Sequence, residues 1–224
     1  RRSSDLSLMQ NRFTVVLGAG FALLLLFSWL AVSTLFMPRS SDRFAQCRAS
    51  VIAGGSEQIG GAFTLVNQHG QSMSQDDVSK TPALLYFGYT FCPDICPMDT
   101  MRNVEAVDLL ETAGQNVTPV FITIDPERDT PQVLAEFAEV MHPRLIALTG
   151  SDGQIKTASK AFRTYYKAHD QNDPYYLVDH STMSYLLLPE HGFVEFFRRD
   201  LPAEQVAEKI SCFLSVCVIT KNKD

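Results

Sequence analysis

Residues 83–97 read Ala83-Leu84-Leu85-Tyr86-Phe87-Gly88-Tyr89-Thr90-Phe91-Cys92-Pro93-Asp94-Ile95-Cys96-Pro97, and this stretch decides the fold. Ala83–Phe87 is an apolar run of strand length. From Met98 to about Thr112, apolar residues recur at Met98, Met101, Val104, Val107 and Leu110, the three-to-four spacing of a helix. The cysteine-bearing segment is therefore a strand-to-helix turn. Working outward, Val120–Ile124 and Leu145–Leu148 read as two further strands. Thr130-Pro131 places a cap before a proline and opens a helix to about Met141. Ser151-Asp152-Gly153-Gln154 matches a capping box and opens another to about Tyr166. A last helix is expected from about Pro202 to Leu214.

Two hairpins flank this alternation. Phe63–Val66 and Ser72-Met73 join through His69-Gly70, and Tyr185–Leu188 and Phe193–Phe197 join through Pro189-Glu190-His191-Gly192. Strands alternating with helices predict an α/β domain. Its sheet is mixed, because the last two strands are antiparallel, and helices cover both faces. The charge distribution sets limits on partners. Residues 38–224 carry 16 basic and 24 acidic groups, a balance that excludes the electrostatic footprint of a nucleic-acid binder.

Phe13–Met37 is a run of 25 residues without a charge. As a helix it is roughly 37 Å long, against about 30 Å for a bilayer's hydrocarbon core. It lacks the polar stripe of a buried helix, and Pro38-Arg39-Ser40-Ser41-Asp42 after it offers no small-residue cleavage site. The expectation is a tail over 1–12, a membrane anchor over 13–37, a polar tether over 38–58, a domain over 59–217 and a tail over 218–224. Arg1, Arg2 and Arg12 precede the span and Arg39, Arg43 and Arg48 follow it, so basic residues do not orient it.

The chemistry concentrates on Cys92 and Cys96. Four residues apart, on a helical backbone they share a face. A helix N-terminus favours the thiolate, which is both nucleophile and metal ligand. Two soft sulfurs suit a soft ion such as Cu(I). The pair alone does not separate metal binding from redox chemistry, and two buried structural cysteines remain the plain alternative. A nearby imidazole would decide. His69 and His191 fall in turns, His142 precedes a proline at a helix end, and His169 lies in a polar stretch. His180 stands between Asp179 and Ser181, just before the strand at Tyr185, and is the histidine singled out as a candidate. Asp179 is a candidate for orienting the ring, no more so than an ordinary loop carboxylate. Asp125 and Asp129, paired with Arg128, read as structural caps or partner-recognition charges. Cys212 reads as core. Cys217, five residues on, does not share its helical face, and Cys47 has no partner legible in the sequence.

Residues 86–97 resemble the signature of the SCO/SenC family, membrane-anchored copper proteins that help assemble the dinuclear copper centre of cytochrome c oxidase. Phe121–Pro131, Leu148-Thr149-Gly150 through Lys167, and Val178-Asp179-His180-Ser181 with Tyr185-Leu186 are similar to later family segments in the same order. The resemblance covers roughly residues 50–200 and includes the single N-terminal span. It implies a thioredoxin-like fold and one copper per chain, as Cu(I) or Cu(II), held by Cys92, Cys96 and His180. It also implies an inner-membrane protein whose domain faces the periplasm, or the intermembrane space in a mitochondrion. Its partners would be the copper-accepting oxidase subunit, other copper carriers or thioredoxin-like reductants. The rival reading is a thiol–disulfide oxidoreductase in which Cys92 attacks and Cys96 resolves. A zinc site of two cysteines, one histidine and water, or a thiol peroxidase, is more remote.

Overall fold

The computed structural model describes residues 23–30, 32, 42–48 and 58–221. The chain divides into two units, residues 1–43 and 44–224. In the first, residues 23–30 are helical, and its apolar side chains there are exposed, Leu24 at 70% and Phe27 at 77%. Among the described residues no helix is long and apolar enough to cross a membrane. Most of the expected 13–37 anchor lies outside the described residues.

The second unit is built on a seven-stranded sheet in the order β2-β1-β5-β4-β3-β8-β9. Its strands are β1 (Thr64–Asn67), β2 (Ser72–Ser74), β3 (Ala83–Gly88), β4 (Thr118–Thr123), β5 (Ile146–Thr149), β8 (Ser184–Leu188) and β9 (Gly192–Phe197). β3, β4 and β5 run parallel, so each connection must cross over the sheet, and α2 (Ile95–Thr112) and α3 (Pro131–Met141) are those crossovers. β3 is buried at all six positions, as expected of a central strand covered on both faces. The two foreseen hairpins form the sheet's edges, β1–β2 and β8–β9, both antiparallel.

Two apolar clusters lie against the sheet. One gathers Leu85, Phe87, Phe121, Leu134, Ile155 and Phe162, and the other gathers Leu84, Leu186, Val107, Ile210 and Phe213. Local signals account for the helix starts. Thr130 Oγ1 accepts the Val133 amide at the head of α3, with Pro131 in the first turn. Ser151 and Gln154 form the reciprocal box that opens α4 (Asp152–Ala161). A four-residue helix, α1 (Gln75–Val78), follows β2 with a capping box of its own.

Three expectations need correction. α4 stops at Ala161 rather than near Tyr166, because Arg163 takes a left-handed φ of 51° and turns the chain. The residues beyond it form β6 (Tyr166–Ala168), paired antiparallel with β7 (Val178–His180) as a separate two-stranded ribbon. The last helix, α5 (Ala203–Lys221), runs about two turns past Leu214. Within the stretch expected to be a tether, Phe44 and Cys47 are buried in the second cluster.

Candidate metal centre

The site forms where β3 ends. A Cβ on Gly88 would lie 2.8 Å from the Tyr86 ring, 3.0 Å from Phe121 and 3.2 Å from Cys96 Sγ. Only glycine lets the sulfur pack this closely on the strand. Residues 89–94 turn the chain, and α2 begins at Ile95, so Cys96 is helical while Cys92 precedes the helix. The two sulfurs therefore meet through the turn rather than along one helical face. Cys92 Sγ accepts the Cys96 amide at 3.3 Å, which satisfies one of the helix's orphaned donors.

That contact divides the cysteines chemically. Burial opposes ionisation of Cys92, but the backbone amides of Asp94, Cys96 and Ile95 outweigh it and hold the thiol below its ordinary range. Burial pushes the Cys96 thiol well above that range, and the neighbouring Cys92 sulfur adds to the rise.

His180 is the last residue of β7, and its Nε2 lies 3.2 Å from Cys96 Sγ. The ring's Nδ1 is 2.8 Å from the Ser181 carbonyl oxygen. A carbonyl only accepts, so Nδ1 carries the proton and Nε2 presents its lone pair to the sulfurs. Burial lowers the ring's pKa, against the opposing pull of the Ser181 carbonyl, which favours a neutral, ligand-ready imidazole. The Tyr86 and Tyr89 rings stand nearly perpendicular to it, with centroids 6.2 and 5.9 Å away.

The two sulfurs and the imidazole nitrogen all lie within 4.8 Å of one another, the one such ligand group among the described residues. Two thiolates and a neutral nitrogen converging on one point form a donor set that fits a soft ion, Cu(I) foremost. The same two sulfurs also suffice for a dithiol–disulfide couple.

The other histidines lie elsewhere. His142 caps α3 and bonds to Asp108, and His191 packs on Phe44. His69 sits at the β1–β2 turn. Asp179, the candidate for orienting His180, instead pairs with His169 at 3.0 Å. Alternation along β7 sends neighbouring side chains to opposite faces, and the ring is held by the Ser181 carbonyl.

Asp129 and Asp125 prove to be the struts of the site. Asp129 is fully buried and accepts from the Thr90 amide at 3.0 Å, from the Thr90 hydroxyl and from the Thr123 hydroxyl, pinning the cysteine turn to the end of β4. Asp125 accepts from Arg128 Nε and from the Tyr176 hydroxyl at 2.6 Å. The Arg128 guanidinium lies 3.6 Å from the Tyr176 ring centroid and 4.7 Å from that of Phe91. The pair thus ties the ribbon's connecting loop and the cysteine turn to one strand end. Gly88 was the residue with a readable signal, a glycine closing an apolar strand, which marks a close backbone approach. Cys212 is not simply core: it is half-buried and disulfide-bonded to Cys47.

Fold and site together define a thioredoxin-like α/β domain with a Cys2His ligand group at one rim of its sheet. A family model described as SCO1/SenC matches residues 53–215. The chain is 48% identical over 201 residues to Protein SenC of Rhodobacter capsulatus, covering 90% of each. It is 40% identical to the mitochondrial SCO1 homolog 1 of Arabidopsis thaliana over 70% of this chain but only 47% of that longer protein. Among solved structures, Arabidopsis thaliana ScoI with copper bound aligns with a TM-score of 0.66 at 38% identity, over 73% of this chain and 99% of that one. BsSco, described as carrying a disulfide switch and belonging to the Sco family of cytochrome c oxidase assembly proteins, aligns with a TM-score of 0.56 at 26% identity, over 68% and 91%. The chain belongs to the SCO1/SenC family.

Proposed function

We propose that this protein is a membrane-anchored copper metallochaperone that assists assembly of the dinuclear copper centre of cytochrome c oxidase. One observation carries the reading: Cys92, Cys96 and His180 converge within 4.8 Å with the Nε2 lone pair directed at the sulfurs. Copper is the cargo, one ion per chain. The sulfurs satisfy Cu(I), and the imidazole makes Cu(II) tolerable. Copper bound in the plant relative supports the assignment. Half-buried Cys92, less enclosed than buried Cys96, is where an accepting oxidase subunit reaches the ion first.

The anchor is assigned to residues 13–37, and the domain of residues 59–217 faces the periplasm, or the intermembrane space in a mitochondrion. The exposed apolar helix at 23–30 supports the anchor. The Cys47–Cys212 disulfide supports the side, because such bonds persist in oxidising compartments.

The test is copper titration of the reduced full chain in detergent. Wild type should bind one ion. Cys92→Ser, Cys96→Ser and His180→Ala should each lose more than about tenfold in affinity, the loss that removing even an outer-shell partner causes, with a changed Cu(II) spin-resonance spectrum. Full Cu(I) and Cu(II) affinity in His180→Ala would overturn the three-ligand site.

A second reading rests on the opposed shifts of the two thiols. Cys92 thiolate attacks an acceptor's disulfide and expels one acceptor thiolate; Cys96, after losing its proton, then attacks Cys92 Sγ of the mixed disulfide and expels the other. Two electrons and two protons pass to the acceptor, leaving Cys92–Cys96 oxidised. This activity prepares acceptor cysteines for copper and tolerates loss of His180, which distinguishes it from metal transfer.

A further inference from the structure

The second sulfur pair lies far from the rim. Cys47 and Cys212 are joined by a disulfide across a sequence separation of 165 residues. The Cys47 and Arg48 amides both donate to the Phe44 carbonyl, at 2.8 and 3.2 Å, folding residues 44–48 into a turn. The Phe44 ring lies 5.4 Å from those of His191 and Phe213, and the Arg48 guanidinium donates to the Val194 carbonyl.

His191 belongs to the β8–β9 turn. The register places Leu187 opposite Ala83, the first residue of β3, whereas the cysteine turn follows Gly88, its last. The docked segment therefore sits at the end of the sheet remote from the ligand group, separated by the length of β3, roughly 17 Å. Ordering five residues costs more conformational freedom than burying one ring and one sulfur offsets, so the covalent bond decides the docking.

We infer that the Cys47–Cys212 disulfide is a lock that fixes where the chain enters the domain, at the end opposite the Cys92–Cys96–His180 rim, and that it opens independently of the rim's dithiol. Separation by the length of β3 forbids exchange between the two pairs within one chain. Cys47 is buried and Cys212 half-buried, so the docked segment restricts an outside thiolate's access to the bond. The lock does not rest on the copper reading and stands equally if the rim is purely redox-active.

The test uses the full chain in detergent. Titrated with dithiothreitol, then denatured and alkylated, it should show Cys92 and Cys96 labelled at reductant levels that leave Cys47 and Cys212 in one linked peptide. Labelling of all four at a common midpoint, or Cys47 linked to another cysteine, would overturn the inference. Trypsin should cut after Arg48 roughly tenfold faster in Cys47→Ser and Cys212→Ser than in wild type, because undocking removes local protection. Equal rates, with circular dichroism unchanged, would refute the lock. If either variant fails to fold, the same digestion of wild type before and after full reduction supplies the comparison.

Discussion

At the scale of single residues, the site depends on what is missing as much as on what is present. Gly88 leaves the space that Cys96 Sγ occupies, and a Cβ 2.8 Å from Tyr86 cannot be absorbed without moving the ring or the sulfur. Gly88→Ala is expected to cost about 1–3 kcal/mol of stability, as overpacking does, and to weaken copper binding more than a surface alanine would; urea denaturation and a Cu(I) competition assay measure the two effects. Tyr176 offers a pH marker. Burial, with its hydrogen bond to Asp125, pushes its pKa up to about 12. A raised folded pKa means its contribution to stability is complete below the unfolded value near 10 and is lost as pH climbs through the folded one. Phenolate absorbance should show a tyrosine step at about pH 12 that is missing from Tyr176→Phe, ahead of the more deeply buried Tyr86, and the variant should lose less stability than wild type between those values.

At the scale of elements, the cysteine turn is only as well placed as its strut. Asp129→Ala leaves the Thr90 amide and two hydroxyls without their acceptor, and is expected to destabilise the domain by about 2–4 kcal/mol. It should also blunt copper affinity by letting the turn drift. Chemical denaturation and the copper competition assay check it, and native stability with native affinity would dismiss the strut. Elements with local signatures were legible in the sequence. The caps at Thr130 and Ser151 and the apolar runs of β3, β4 and β5 announce themselves within a few residues. The β6–β7 ribbon was not legible. Three-residue strands reading Tyr-Lys-Ala and Val-Asp-His carry no usable alternation, and their pairing exists because tertiary contacts close the loop between them. Both sulfurs could be proposed from the turn alone. The imidazole could be singled out but not assigned, since polar neighbours such as Asp179 and Ser181 do not separate a ligand from a loop histidine, and the family pattern had to supply it.

At the scale of the whole molecule, the sequence offered the alternation of strands and helices, and hence the layered architecture. It gave no sign of the bond between Cys47 and Cys212, because cysteine connectivity is not deducible from spacing across 165 residues. A cross-link closing so long a loop restricts the unfolded chain strongly, and its removal is expected to cost about 2–5 kcal/mol. Calorimetry of wild type against the Cys47→Ser, Cys212→Ser double variant measures this, and an unchanged melting temperature would contradict it.

The imidazole and the sulfurs belong to different parts of the fold. Cys96 is anchored in the first turn of a packed helix, while His180 ends the two-stranded ribbon outside the main sheet, which Tyr176 and Val178 pin to the core through Asp125 and the Tyr89 hydroxyl. A local opening of that ribbon would withdraw the nitrogen and leave Cys96 in place. In the chaperone proposed above, such an opening would release nitrogen before sulfur, so that a cargo ion would pass to its receiver without ever being bare.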